Sequence, residues 1–252
     1  MANGIVSFAD LDSPQNGTEW DANCFNKFSN LLITNNRLSA IVKKLGYKAA
    51  FGVAAALTEL IHLRSKTYFP NVGFDQEFAW RFEALWASTI DPNYLKSFKF
   101  ENRYFDENEV LTPHSANWSV IRHMAREYTK GSFYIHRYLI NLSMLARHLV
   151  KDKKMFDNWF AEMIRKTVEA FPCSYDYADL DFDNVLARYD CSADAPVPRE
   201  FFFDPEFEYS EEAAKPVLNT FLRSLDHTAN PWLCTPEEML AKGFKGTPYK
   251  VV

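Results

Sequence analysis

The stretch KAAFGVAAALTELIHLR, residues 48–64, constrains the fold more than any other part of the chain. Its first half is apolar almost all the way round, the pattern of a helix enclosed by neighbours on every side rather than laid on a surface. Alanine and glycine at these positions let other backbones come close. The most apolar run within it, AAFGVAAAL at 49–57, is far shorter than a membrane span and is soon followed by Glu59 and His62. The rest of the chain must therefore supply a cage of helices around this one.

The remaining sequence offers that cage. Apolar residues recur at helical spacing in nearly every readable segment, without a convincing run of alternating β-branched residues, so the expected class is all-α. Thr18 can cap a first helix with Trp20, Cys24, Phe28, Leu31 and Leu32 on one face, and a short helix over 37–45 is stopped by Gly46. Residues 74–90 place Phe74, Phe78, Phe82, Leu85, Trp86 and Ile90 on one stripe. Thr112 and Pro113 open a helix that ends near Gly131, and a further one from Ser132 carries Ile135, Leu139, Leu142, Ala146 and Leu149. Another, with Met155, Trp159, Met163 and Ile164, runs up to the stop at Pro172.

The expected organisation is one domain over 1–252: an irregular bundle of about six helices at 18–171, an irregular arm at 172–210, and two helices with a tail at 211–252. A chain that is 47% hydrophobic and 16% aromatic can close such a core. Thr235, Pro236 and Glu238 form a capping box at the start of the last helix. The arm and tail hold Phe201, Phe202, Phe203, Phe207, Trp232, Phe244 and Tyr249. These are costly to leave in water, so they are expected to strap the arm onto the helical body.

Charge is segregated along the chain. Residues 173–214 hold twelve acids against Arg188 and Arg199, a net charge of −10, which leaves +5 on the other 210 residues of a chain of net charge −5. That overall balance excludes a protein that coats nucleic acid with its whole surface. Residues 113–154 hold eight Lys or Arg, two acids and four of the six histidines. Helical spacing puts His123, Arg126, Glu127 and Lys130 on the polar side of one helix, and Arg137, Asn141 and His148 on a face of the next, opposite its core stripe. Arg122, His123, Arg126, Arg137, Asn141 and His148 are the candidate residues for an anion or partner site. The competing expectation is that the acidic arm folds back along these same basic faces.

Within the arm, DLDFDNVLARYD at 179–190 has the oxygen spacing of a calcium loop, with Asp179, Asp181, Asp183 and Asp190 at positions one, three, five and twelve. Three features speak against calcium: Asn184 stands at the sharp turn where glycine is usual, Asp190 at position twelve is too short for easy bidentate reach, and the incoming helix stops at Pro172. The expectation is an acidic arm, and no cofactor is predicted. ELIH at 59–62 supplies the Glu-x-x-His of a di-iron helix once, where two are needed. With eight glycines, the chain has no phosphate-binding glycine loop, no nucleophile elbow and no H-E-x-x-H.

Four separated cysteines read as core residues of a reducing compartment, and the first residues lack a basic stretch ahead of an apolar one, so the expected location is the cytoplasm, with no membrane insertion. The leading functional expectation is a non-catalytic binding or regulatory protein acting on a protein partner, with nucleic acid unfavoured. The alternative is a helical enzyme whose metal or anion site is built from His62, His123, His136, His148 and carboxylates across the bundle.

Overall fold

The computed structural model describes residues 20–29, 33–66, 75–96, 112–175 and 188–251. Among them are ten α-helices and no strands: α1 (Ala22–Ser29), α2 (Asn36–Val42), α3 (Tyr47–Lys66), α4 (Asp75–Ile90), α5 (Pro113–Tyr128), α6 (Ile135–Leu149), α7 (Lys153–Ala170), α8 (Glu200–Phe203), α9 (Glu211–Ser224) and α10 (Pro236–Ala241). The all-α expectation holds. No described helix is long and apolar enough to cross a membrane.

The enclosed helix is α3. Residues from Tyr47 to His62 are buried on every side of it, because α4, α5 and α6 all pack against it and α7 backs α6. Alanines at 49, 50, 54, 55 and 56 are at most 1% exposed, which is how this helix accepts three neighbours. One hydrophobic cluster runs from Phe28 through these helices to Met239. The stripes expected on α4, α6 and α7 face it: Phe78, Leu85, Trp86 and Ile90; Ile135, Leu139, Leu142, Ala146 and Leu149; Trp159, Met163 and Ile164. The helix starts carry their side-chain caps, Asn35 on α2, Thr112 with Ser115 on α5, Asp152 on α7, Ser210 on α9, and the Thr235–Glu238 box on α10. The Thr18 cap and Phe74 lie outside the described residues.

The described part of the arm docks in a way charge segregation does not suggest. It lies along α3 and α4, held by backbone bonds and rings. Tyr189 N–H donates to Gly131 O at 2.8 Å, Val197 N–H to Thr89 O at 3.3 Å, and Thr89 Oγ1 returns a bond to Val197 O at 2.7 Å. Phe202 and Val197 press against Gly52 of α3, where any Cβ would meet the Phe202 ring at 3.1 Å. Phe171 meets Phe201 edge-to-face and Tyr209 at a tilt on the flank.

The expected fold-back along the 113–154 basic faces is corrected here for 188–210. Arg126 and Lys130 pair with Glu127, and Arg147 pairs with Asp157. The ion pair that does tie the arm to the body has the opposite polarity: the arm supplies Arg199, and α3 supplies Glu59, at 2.7 and 3.0 Å. Glu59 also accepts the indole N–H of Trp86. In the described part of the arm, rings and backbone bonds carry most of the docking, with Asp194 meeting Lys48 of α3, whose Nζ donates to Asp194 O at 2.8 Å. The seven strap aromatics all pack on the core or on the small cluster around Phe171 and Val197, as expected.

The C-terminal tail is tied to the turn after α4. Leu95 and Leu233 pair as an antiparallel bridge, Lys96 N–H donates to Trp232 O and Cys234 N–H to Tyr94 O. Tyr249 lays its edge on Tyr94 and donates its hydroxyl to Cys234 O at 2.6 Å. Asn230 reaches Trp80 O and Glu83, and the buried guanidinium of Arg81, paired with Glu77, lies over both Trp118 and Trp232.

One buried histidine makes the fold acid-sensitive. His136 is 5% exposed, and burial pushes its pKa down to about 4, partly offset by its bond to Phe133 O and reinforced by Lys43. The folded value lies below the unfolded one, so its contribution is complete above pH 6.5 and is lost as pH falls toward 4. At 1.4 kcal/mol per tenfold in proton affinity, this residue alone costs about 2 kcal/mol of stability between pH 7 and pH 5. Denaturant melts of wild type and His136→Gln at the two pH values check this, since the variant should lose less over that interval.

Candidate anion-binding cleft

The C-terminal half of α5 presents Arg122, His123, Ala125 and Arg126 on one side, and the turn that follows adds Thr129 and Lys130. Facing them is the one-turn 3-10 helix Pro92–Tyr94, with Asn93, Leu95 and Lys96. Lys242, at the C-cap of α10, closes the end. Between these elements lies a cleft of about 670 Å³, lined among the described residues by five cationic side chains and no acid.

Each cation is positioned. Lys242 Nζ donates to Leu95 O at 2.8 Å and lies 3.0 Å from Cys234 Sγ, while Lys96 pairs at 3.1 Å with Glu238 of the α10 capping box. Arg126 and Lys130 share Glu127, at 3.3 and 3.4 Å. Burial works to raise the Glu127 carboxyl, but Lys130, Ser132 and Arg126 outweigh it and hold it below the usual range. Among the described residues, Glu127 and Glu238 are paired with cleft cations and neither lines the cleft, so the described lining carries a positive excess. Walls of low dielectric make such an excess more effective than the same charges in open water.

His123 is the neutral member. Burial, then the charges of Arg122 and Arg126, lower its pKa against a smaller opposing pull from Glu127. Its Nε2 lies 3.4 Å from an Arg122 guanidinium nitrogen, which donates to it, and its ring stacks parallel to Tyr138 of α6 at 6.3 Å. The ring is therefore a wall and an orienting acceptor for Arg122.

The six candidates do not form one surface. Arg122, His123 and Arg126 come together in the cleft, but Arg137 stands outside its lining, exposed, with its guanidinium 5.0 Å above the Tyr134 ring. Asn141, expected on an open face, is 0% exposed. His148 is covered by α1, with Cys24 Sγ 3.7 Å from its Nε2 and the Phe28 and Trp20 rings at 5.0 and 5.9 Å. That face of α6 is closed because α1 and α2 both pack on it, and helical periodicity within α6 carries no trace of elements placed about a hundred residues earlier. Lys96 and Lys242 were missed for the same reason: 146 residues apart, they meet through tertiary contacts such as the Leu95–Leu233 bridge and the Lys96–Glu238 pair.

For the calcium reading, Asp179, Asp181 and Asp183 lie outside the described residues. Asp190 is described, and its carboxylate caps the 3-10 turn Cys191–Ala193 by accepting from Ser192 N–H at 2.9 Å. Among the described residues, no three His, Cys, Asp or Glu side chains gather as a metal site.

The histidines scatter. His62 pairs with His114, their Nδ1 atoms 3.4 Å apart; His123 lines the cleft; His136 is in the interior; His148 is under α1. A second concavity, of about 590 Å³, lies beside Glu59, His62, Phe82, Trp86, Arg199 and Phe221, and its main carboxylate is already committed to Arg199 and Trp86.

No protein-family model matches this chain, and no curated protein or solved structure matches it either.

Proposed function

We propose that this protein is a non-catalytic binding or regulatory protein that works through protein contacts, seating an acidic segment of its partner in the cleft between α5, the 92–96 turn and Lys242. One observation carries this reading: five cations from three separate parts of the chain converge on one concavity, and Glu127 and Glu238, which pair with them, are not among its lining residues. Convergent like charges repel one another, so their assembly costs stability unless an anion offsets it. All four cysteines are thiols, which supports a reducing compartment such as the cytoplasm as the place of action.

The test is a titration of the full chain with a fluorescent, aspartate-rich peptide at increasing salt. Saturable binding that weakens about tenfold or more between 50 and 300 mM salt is the expected result, since exposed charges are screened over that range. Absence of binding at 50 mM salt contradicts the proposal. Tighter binding of a single-stranded oligonucleotide than of the peptide assigns the cleft to nucleic acid instead.

A further inference from the structure

Three of the cleft's cations form a ruler. Arg122, Arg126 and Lys130 are spaced by four residues along α5 and the turn that continues it, and all three line the same concavity. At 1.5 Å of rise per residue, their stems are about 6 Å apart along the axis, and the row is about 12 Å long. An extended peptide repeats its side chains on one face every two residues, about 6.6 Å apart. Three acids at alternate positions of an extended strand thus match the three cations one to one.

Consecutive acids do not, because every second one points away from the helix. An acidic helix with a four-residue repeat matches the spacing too, and is the competing occupant that the third peptide below separates from an extended one.

Building on the reading above, we infer that the cleft recognises an extended acidic segment of a protein partner with carboxylates at alternate positions, Asp-x-Asp-x-Asp, laid along α5. The outer two carboxylates meet Arg122 and Lys130, and the central one meets Arg126. Lys96 and Lys242, on the opposite side, face the segment's backbone carbonyls and its remaining lone pairs. Glu127 already shows the seating on a small scale, with one carboxylate held between Arg126 and Lys130.

The test compares three labelled peptides of equal length and charge against the full chain. One carries Asp-Ala-Asp-Ala-Asp, the second Asp-Asp-Asp-Ala-Ala, and the third is an alanine-rich helix with a glutamate at every fourth position. The alternating peptide should bind at least about fivefold more tightly than the block peptide, the effect of mismatching one pair or more. In Arg126→Ala that preference should disappear, with overall affinity lowered, while Arg137→Ala keeps both. Equal affinity for the alternating and block peptides overturns the spacing inference and leaves the acidic-partner reading in place. Preference for the helical peptide overturns the extended geometry. No binding by any of the three overturns both.

Discussion

Replacing Gly131 by alanine is expected to destabilise the protein by about 3 kcal/mol, the sum of a left-handed backbone penalty, a lost hydrogen bond and displaced packing. Gly131 has φ of +71° at the end of α5, where a side chain costs about 1–2 kcal/mol by itself. A Cβ there would also run into the backbone of Tyr189. Tyr189 cannot retreat without loss: its N–H donates to Gly131 O, its ring packs on Tyr47 and Phe133, and its hydroxyl bonds to Asp194 and Ser174. Denaturant melts measure the total, and hydrogen exchange at the Tyr189 amide shows where the loss falls. Gly131→Asn should recover part of it, because asparagine tolerates the left-handed region but still carries the colliding Cβ. A loss under about 1 kcal/mol in the alanine variant contradicts this account of how the arm is anchored.

This anchor illustrates what the sequence makes legible. The helices were readable because each buried face repeats within its own segment: Leu139, Leu142, Ala146 and Leu149 declare the inner side of α6 with no help from the rest of the chain. Caps were readable for the same local reason, as at Thr235 and Glu238. The aromatic strap followed from composition, since Phe201, Phe202 and Phe203 had to be covered by something. Where the arm would dock was not readable. Twelve acids suggest a basic surface, whereas the described part of the arm docks through rings, backbone bonds and Arg199, one of the arm's two arginines, against Glu59.

The cleft divides along the same line. Its α5 bank was legible because Arg122, His123 and Arg126 lie within five residues and share the polar side of one helix. Asn141 and His148 were misplaced because only tertiary packing says that α1 and α2 cover that face of α6. Lys96 and Lys242 could not have been joined to the site from sequence, since a two-residue bridge and the Tyr94–Tyr249 contact bring them together. A single sequence marks each residue's side of its own helix, and leaves open which sides meet.

The second large effect concerns the cleft itself. In Arg122→Glu/Arg126→Glu, two of five cations become acids, and the lining falls from five positive charges to a net of one. Affinity for an acidic peptide should drop about a hundredfold, because attraction is lost and repulsion is introduced at two adjacent positions. The stability loss should be modest. Arg126 is exposed and its described ion pair, with Glu127, is worth about 1 kcal/mol or less, and Arg122 gives up its bond to His123, worth about as much. The central claim is therefore tested most directly by measuring peptide affinity and melting temperature together on this variant. A collapse of binding with the cooperative melt retained is the predicted result; binding retained within about threefold, with the fold intact, contradicts the cleft as the partner site.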